Sequence, residues 1–211
     1  IRGNEVGIVF QEPMTALNPS LRIWRQIAEP LVRHRRMSWS AAKAQAIYLL
    51  KKVRIPDAET KAEAYPHQLS GGMRQRVMVA IAISCEPRLI IADEPTTALD
   101  VTVQAQILTL LTDLTRGLGG ALLLITHDLG VVARYADRVV VMYGGRIVET
   151  APARQLYKSP QHPYTRGLMA SVPRLDGNTS ERLVPIEGQP PDLARIPPGC
   201  AFAPRCRQAT D

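Results

Sequence analysis

The chain has 211 residues, of which 45% are hydrophobic, and a formal net charge of +7 from 26 Lys and Arg against 19 Asp and Glu. This is enough to bury a sizeable core, and no apolar stretch approaches the roughly 20 residues of a membrane-spanning helix. We therefore predict that the chain does not itself cross a bilayer. Three cysteines cannot form an even disulfide framework, which favours a reducing compartment.

Positive charge is concentrated in one stretch of the chain. Between positions 22 and 54, nine Lys and Arg face a single acidic residue, Glu29. Basic surfaces bind nucleic acids or anionic membranes, but few aromatic residues interleave with these charges, so base stacking is poorly served. We expect no nucleic-acid partner, and the stretch fits either a solvated helical surface or a surface that faces a membrane.

The first predicted element is a strand within residues 1 to 12, which leads to Gln11. Residues 13 to about 68 follow as a predicted helical insertion. Within it we expect Ser40 to cap a helix, whose apolar stripe comprises Ala46, Leu49, Leu50 and Val53.

A further helix is predicted to begin after Ser70, a good N-cap residue, because apolar residues recur behind it at helical spacing. Gly71 and Gly72 carry no side chains, so a phosphate could approach the backbone N–H groups at this helix end, where the helix dipole places about half a positive charge. Taken alone, the Ser-Gly-Gly run is better explained as a flexible helix entry, and its meaning depends on the residues around it.

A strand is predicted from Leu89 to Ala92, because this short apolar run after Pro87 suits a parallel strand covered on both faces. Asp93 and Glu94 then stand at its carboxyl end, where open α/β sheets bind ligands. Adjacent carboxylates are costly there unless a cation neutralises them, as a magnesium ion carrying phosphates does. We predict that Asp93 holds Mg²⁺ through water and that Glu94 polarises an attacking water; a solvated acidic turn is the simpler alternative.

The chain then continues with a helix and a second strand. Asp100 is an N-cap candidate for an amphipathic helix that ends at Gly117. Residues 121 to 125 predict a strand that reaches the same sheet edge as Asp93 and delivers His127 there. An imidazole in that place could donate to a γ-phosphate, although a lone His after a strand is usually a turn residue.

The last part of the sequence changes character. Residues 138 to 142 and 146 to 149, joined through Gly144 and Gly145, predict a hairpin or paired strands. From Ser171 onward, frequent prolines exclude a regular helix or a central strand. We predict an arm that either wraps the body or stays partly mobile.

Several segments together carry a resemblance to a family. Five of them resemble, in the expected order, motifs of the ATP-binding cassette (ABC) ATPases: residues 9–13 the Q-loop, 69–76 the signature loop, 89–95 the Walker B segment, 98–100 the D-loop and 125–128 the switch-histidine loop. Others are similar to the oligopeptide/dipeptide/nickel importer group and its C-terminal extension: residues 11–19, 65–68, 98–107, 162–168, 199–200 and 204–206. The resemblance therefore spans nearly the whole chain.

The resemblance implies an α/β fold of the P-loop NTPase type, with a mostly parallel sheet flanked by helices. It implies a RecA-like catalytic core at 1–12 and 86–150, an ABC helical subdomain with the signature loop at 13–85, and a Pro-rich C-terminal extension at 151–211. In this family the helical subdomain docks on the membrane subunits.

The resemblance also implies a head-to-tail dimer in which each ATP is closed between two subunits. Four signature residues are then expected to bind ATP across the dimer: Ser70, Gly71, Gly72 and Gln75. Within one subunit, Asp93 and Gln11 are expected to bind Mg²⁺. Glu94, His127 and Gln11 are expected to be catalytic, and Asp93 and Asp100 are expected to bind the nucleotide. Asp100 would also link the two sites.

The phosphate-binding loop of such ATPases is not found. No position matches G-x-x-x-x-G-K-[ST], and no Gly is followed by Lys. The chain also opens at Ile1 without an initiator Met. We expect this Walker A loop and the strands before it to belong to a longer parent protein, and we expect the 211 residues alone to show no appreciable ATPase activity.

The implied function is ATP hydrolysis that energises uptake of peptides or nickel complexes, with the cargo left open. The implied partners are a second ABC ATPase subunit, two transmembrane permease subunits and, indirectly, a solute-binding protein. The implied location is the cytoplasmic face of a bacterial or archaeal cell membrane, as a peripheral subunit.

The cysteines add one open point. Resembling tails can carry cysteines that bind an iron–sulfur cluster, but Cys200 and Cys206 are too few for a four-cysteine site. We expect reduced thiols here and leave a cluster in a complete protein open. Cys85 is expected to pack in the core.

Two other classes of function stay open. A soluble ABC ATPase acting on nucleic acid or the ribosome would share the signature and Walker B segments, and the basic charge favours it, whereas the Pro-rich tail and residues 12–19 argue against it. A non-catalytic regulatory half-site is suggested by the missing Walker A loop.

Overall fold

The computed structural model describes residues 1–97, 99–171, 185–196 and 198–210. Ala98 of the predicted D-loop and residues 172–184 of the predicted Pro-rich arm lie outside them. The helices are α1 (Pro13–Ala16), α2 (Ile23–Arg35), α3 (Trp39–Lys52), α4 (Ala58–Ala62), α5 (Gly71–Ile83), α6 (Val101–Gly117), α7 (Leu129–Tyr135), α8 (Ala153–Lys158) and α9 (Pro163–Ala170). The strands are β1 (Val6–Val9), β2 (Leu89–Asp93), β3 (Ala121–Ile125), β4 (Arg138–Tyr143) and β5 (Arg146–Pro152).

The chain divides into two compact units, Ile1–His127 and Asp128–Asp211. The finer division predicted from the sequence, with its boundary at 150 and 151, stays a prediction. Across the described ranges, no helix is both long and apolar enough to cross a membrane.

Unit 1 is built on a parallel sheet in the order β1-β2-β3. Val9 pairs with Ala92, and Asp93 pairs with Ile125. The carboxyl ends of all three strands therefore meet at one edge of the sheet. The predicted α/β class with a parallel sheet flanked by helices is confirmed.

The two faces of this sheet differ in burial. Ile90 and Ala92 are buried, whereas their neighbour Ile91 is half-buried. In β3, Leu123 is 48% exposed and Ile125 is 45% exposed. The prediction that β2 is covered on both faces therefore holds fully for the face that carries Ile90, where the core of this unit lies, and only in part for the face that carries Ile91.

The packed face approaches α5 very closely at one point. A Cβ added to Gly7 in β1 would stand 2.3 Å from the backbone oxygen of Ala82 in α5. No side chain fits in that space, so glycine at position 7 lets the helix lie directly against the strand.

The helical insertion forms as predicted, with one correction at its cap. Helix α3 begins at Trp39, and the Ser38 hydroxyl accepts a hydrogen bond from the Ala41 N–H at 3.2 Å. The cap is therefore Ser38 and not Ser40, which lies inside the first turn. The helix buries Ala46, Leu49 and Leu50, as its apolar stripe predicts.

Part of the basic charge of this insertion is neutralised from outside the 22–54 stretch. Glu63 forms ion pairs with Lys43 and Arg22, and Glu59 pairs with Lys51. The hydrogen bond from Lys43, followed by that from Arg22, lowers the pKa of the Glu63 carboxyl below its ordinary value. These contacts favour a solvated helical surface for this part of the stretch.

Unit 2 contains the predicted hairpin. β4 and β5 pair antiparallel with an irregularity between Val141 and Met142. They are joined through Gly144 and Gly145, whose positive φ angles of 55° and 75° suit a tight hairpin turn. The core of this unit includes an aromatic cluster of Tyr143, Tyr164 and Phe202.

Candidate functional site

The candidate site lies at the carboxyl edge of the parallel sheet in unit 1. Gln11 follows β1, Asp93 ends β2, Glu94 follows it, and His127 follows β3. Because parallel strands direct their carboxyl ends to one edge, residues from distant parts of the sequence meet there. Together with Thr97, we call these residues the acid site.

The Glu94 carboxylate is the centre of the acid site. The Gln11 side-chain amide donates to Glu94 Oε2 at 2.8 Å, and the Thr97 hydroxyl donates to the same oxygen at 3.0 Å. His127 Nδ1 lies 2.9 Å from Glu94 Oε1. A carboxylate offers about four lone-pair sites, so these contacts leave acceptor capacity on Oε1 for a water molecule.

The backbone at Glu94 has an uncommon conformation. Its φ of 42° lies in the left-handed region, which costs free energy for a residue with a side chain. Two hydrogen bonds hold it: the Glu94 N–H donates to the Ile125 carbonyl at 3.0 Å, and the Thr97 N–H donates to the Glu94 carbonyl at 3.2 Å. The turn after β2 therefore orients the carboxylate toward Gln11 and His127.

The contacts of Glu94 keep it ionised. The hydrogen bond with His127, followed by that from Thr97, lowers the pKa of the Glu94 carboxyl below its ordinary value. An ionised carboxylate accepts hydrogen bonds through both of its oxygens. This arrangement suits a group that orients and polarises a water molecule.

Asp93 and Gln11 offer oxygen ligands of the kind that Mg²⁺ prefers. Asp93 is exposed at the end of β2, and Gln11 is exposed after β1. Within the described residues, no group of three or more His, Cys, Asp or Glu side chains could hold a metal ion. Mg²⁺ is held in proteins by one or two carboxylates together with phosphates and water, so the donor set fits a metal that arrives with a polyphosphate.

The start of α5 is the second part of the candidate site, and we call Ser70, Gly71 and Gly72 the signature start. The Ser70 hydroxyl caps the helix by accepting from the Met73 N–H at 3.4 Å. A Cβ on Gly72 would stand 3.0 Å from Val103 Cγ1 in α6, whereas a Cβ on Gly71 would find its nearest atom at 3.9 Å. A side chain at position 72 would therefore crowd α6 unless Val103 shifts, whereas position 71 has room for one.

Two further residues, Gln75 and Asp100, have predicted nucleotide roles. Gln75 lies within α5 on its buried side and is only 2% exposed, and its Nε2 has no hydrogen-bond partner among the described residues. The structure therefore does not bring Gln75 to the exposed signature start. Asp100 caps α6, since its Oδ1 accepts from the Val103 N–H at 2.9 Å, as its N-cap prediction states.

The three cysteines belong to two different units, Cys85 to unit 1 and Cys200 and Cys206 to unit 2. Cys85 is buried in the core of unit 1, as predicted, and all three cysteines are free. Cys200 Sγ is 3.8 Å from His162 Nε2, and Cys206 packs against the aromatic cluster of unit 2. These contacts give no support to an iron–sulfur cluster.

Sequence reasoning missed two residues of the candidate site. Thr97 holds Glu94, and Val103 explains why position 72 is a glycine. Residue types do not indicate the first, because the contact of Thr97 depends on the left-handed backbone of Glu94. The second needs the distance between two helices, which the sequence does not carry.

Comparison with protein-family models gives two matches. Residues 1–97 match the model "ABC transporter", and residues 148–211 match the model "Oligopeptide/dipeptide transporter, C-terminal region".

Individual relatives agree with these two models. The dipeptide transport ATP-binding protein DppD of Bacillus subtilis is 55% identical over 98% of this chain and 61% of its own length. The oligopeptide transport ATP-binding protein OppD of Haemophilus influenzae is 52% identical over all of this chain and 65% of its own length. The chain thus spans about three-fifths of the length of the curated relatives that it matches.

A solved structure agrees in fold. A dimeric ATP-binding cassette in a post-hydrolysis state, bound to ADP and Pi, matches with a TM-score of 0.63 and 31% identity, over 72% of this chain and 64% of that one.

Proposed function

We propose that the protein hydrolyses ATP to drive peptide uptake, because this chain belongs to the ABC transporter family of ATP-binding proteins and carries the C-terminal region of oligopeptide/dipeptide transporters. The observation that carries this proposal is the Glu94 carboxylate, which is bound at once by Gln11, Thr97 and His127. Two of these contacts come from loops distant in the sequence, at Gln11 and His127, which a solvated acidic turn without a function would not need.

Each residue of the acid site has a proposed role in hydrolysis. Asp93 and the Gln11 amide oxygen hold Mg²⁺ with the nucleotide. Glu94 accepts a hydrogen bond from the attacking water through Oε1, and the second ring nitrogen of His127 contacts the γ-phosphate. Water then attacks the γ-phosphorus, the bond to the leaving ADP breaks, and inorganic phosphate is released.

The signature start is proposed to act on a second subunit. Ser70 and Gly71 are exposed at the N-terminus of a 13-residue helix, where backbone N–H groups and the helix dipole attract phosphate. In a head-to-tail pair, each signature start would cover the nucleotide held by the acid site of its neighbour. Asp100, which caps α6, is proposed to contribute at this interface.

The remaining partners and the location follow from the same family. We propose that two transmembrane permease subunits bind the helical insertion at the cytoplasmic face of the cell membrane, and that a solute-binding protein supplies the cargo. Peptides are the proposed cargo class, because the relatives are named for dipeptide and oligopeptide transport.

The test is a Glu94→Gln substitution in the complete gene product. We expect ATP turnover to fall by about 100-fold or more, the usual contribution of a positioned base, while ATP binding is retained. The same variant, returned to cells that lack the gene, should fail to restore uptake of a labelled peptide.

Glu86→Gln is a matched control for the chemical change, because Glu86 also has a left-handed backbone, with φ of 50°, and lies exposed outside the acid site. It should hydrolyse ATP at the wild-type rate. Normal turnover by Glu94→Gln would remove Glu94 from the proposed role. If Glu94→Gln left peptide uptake unchanged but abolished the uptake of nickel complexes, nickel complexes would replace peptides as the proposed cargo.

A further inference from the structure

We propose that Thr97 is a positioning residue for ATP hydrolysis: its hydroxyl holds the Glu94 carboxylate so that Oε1 faces the attacking water. This inference rests on the proposed function, because it gives Glu94 the task of polarising that water. Thr97 itself touches neither nucleotide nor water in this scheme.

The first support is the asymmetry of contacts on the carboxylate. Thr97 Oγ1 donates to Oε2 at 3.0 Å, and the Gln11 amide donates to the same oxygen. Among the residues that the structure describes, His127 makes the one polar contact with Oε1, at 2.9 Å. Two donors on Oε2 fix the rotation of the carboxylate and leave the second lone pair of Oε1 as its free acceptor.

The second support is that the Thr97 contact is local. Thr97 lies in the same turn as Glu94, and its N–H closes that turn on the Glu94 carbonyl at 3.2 Å. Gln11 and His127 belong to loops after other strands and are also proposed to contact Mg²⁺ and phosphate. When those loops move, the hydrogen bond from Thr97 still holds the carboxylate in place.

The third support is that the Thr97 hydroxyl contacts the acid site and does not pack in the hydrophobic core of unit 1. The Thr97 side chain is exposed, so its replacement leaves no cavity. The left-handed φ of 42° at Glu94 places the carboxylate over the turn, where a hydroxyl three residues later can reach it. Loss of this one donor should therefore change catalysis without loss of folding.

The experiment compares Thr97→Val, which removes the hydroxyl at nearly constant shape, with Thr97→Ser, which keeps it. Both are made in the complete gene product. We expect Thr97→Val to lower kcat for ATP by about 10-fold to 100-fold, the usual effect of losing a residue that orients a reacting group. KM for ATP and the thermal midpoint of unfolding should stay unchanged, and Thr97→Ser should restore most of kcat.

Thr60→Val, at an exposed position of α4, is the matched control for the chemical change and should leave kcat unchanged. Wild-type kcat in Thr97→Val, or an equal defect in Thr97→Ser, would overturn the proposal. Failure of the proposed function gives a different result, since Glu94→Gln would then retain full turnover whatever Thr97 does.

Discussion

The acid site and the signature start lie in the same unit but are stabilised in different ways. The acid site is held by side-chain hydrogen bonds among three loops, centred on Glu94. The signature start is held by a helix cap at Ser70 and by the close packing of Gly72 against α6. The acid site therefore depends on hydrogen bonds between side chains. The signature start depends on one helix cap and on glycines that carry no side chain.

Because of this difference, substitutions in the two sites should have different effects on hydrolysis and on folding. Changes in the acid site should alter the rate of hydrolysis with little effect on folding, because its side chains are mostly exposed. Changes at the glycines of the signature start can alter both the rate of hydrolysis and the stability of the fold. The distance from a new Cβ to its nearest atom shows at which glycine an effect on stability is expected.

The largest expected loss of stability comes from Gly7→Ala, beneath the acid site. The new Cβ would meet the Ala82 carbonyl oxygen at 2.3 Å, and neither backbone can move without distorting the sheet or α5. We expect the free energy of unfolding to fall by roughly 3 kcal/mol or more, measured by urea denaturation. Gly117→Ala, with no atom within 4 Å of its new Cβ, should be neutral; equal losses would refute this packing argument.

A smaller loss is expected from Gly72→Ala at the signature start. Its Cβ would stand 3.0 Å from Val103 Cγ1, a side-chain atom that can shift. Overpacking of this kind costs about 1 to 3 kcal/mol, and the better helix propensity of Ala offsets up to about 1 kcal/mol. Denaturation of the Gly72→Ala/Val103→Ala double variant provides the check: if the two changes are additive, the contact is not the cause.

The smallest effect on stability is expected from Gly71→Ala. Its Cβ would be 3.9 Å from Leu99, an ordinary contact, so the free energy of unfolding should change by less than about 0.5 kcal/mol. If the signature start covers a neighbour's nucleotide, the same variant should lose ATP turnover and ATP-dependent dimer formation, measured by light scattering. A fully active Gly71→Ala variant would show that no phosphate approaches this position.

The strands, the edge that they share and the order of the loops could be predicted from the sequence. Apolar runs of four or five residues followed by Asp93 and His127 identify strand ends directly. The helix cap was predicted two residues late, because Ser38 and Ser40 are equally good cap residues and only the backbone decides between them.

The positions of Gln75 and Thr97 could not be predicted in this way. Helix α5 is buried on nearly all sides, so its pattern gives no exposed face, and similarity of motif alone placed Gln75 at the surface. The contact of Thr97 depends on the left-handed backbone of Glu94, a conformation that residue type does not indicate for a glutamate.

Helix α5 extends from the signature start to the strand that leads to Gln11. Its first residue belongs to the signature start, and near its other end Ala82 presses against the strand that leads to Gln11. Eleven residues separate Gly71 from Ala82, about 16 Å along a helix axis. A tilt of roughly 10° about the Gly7 contact would therefore displace the signature start by about 3 Å, so small rearrangements at the strand can be amplified across the helix.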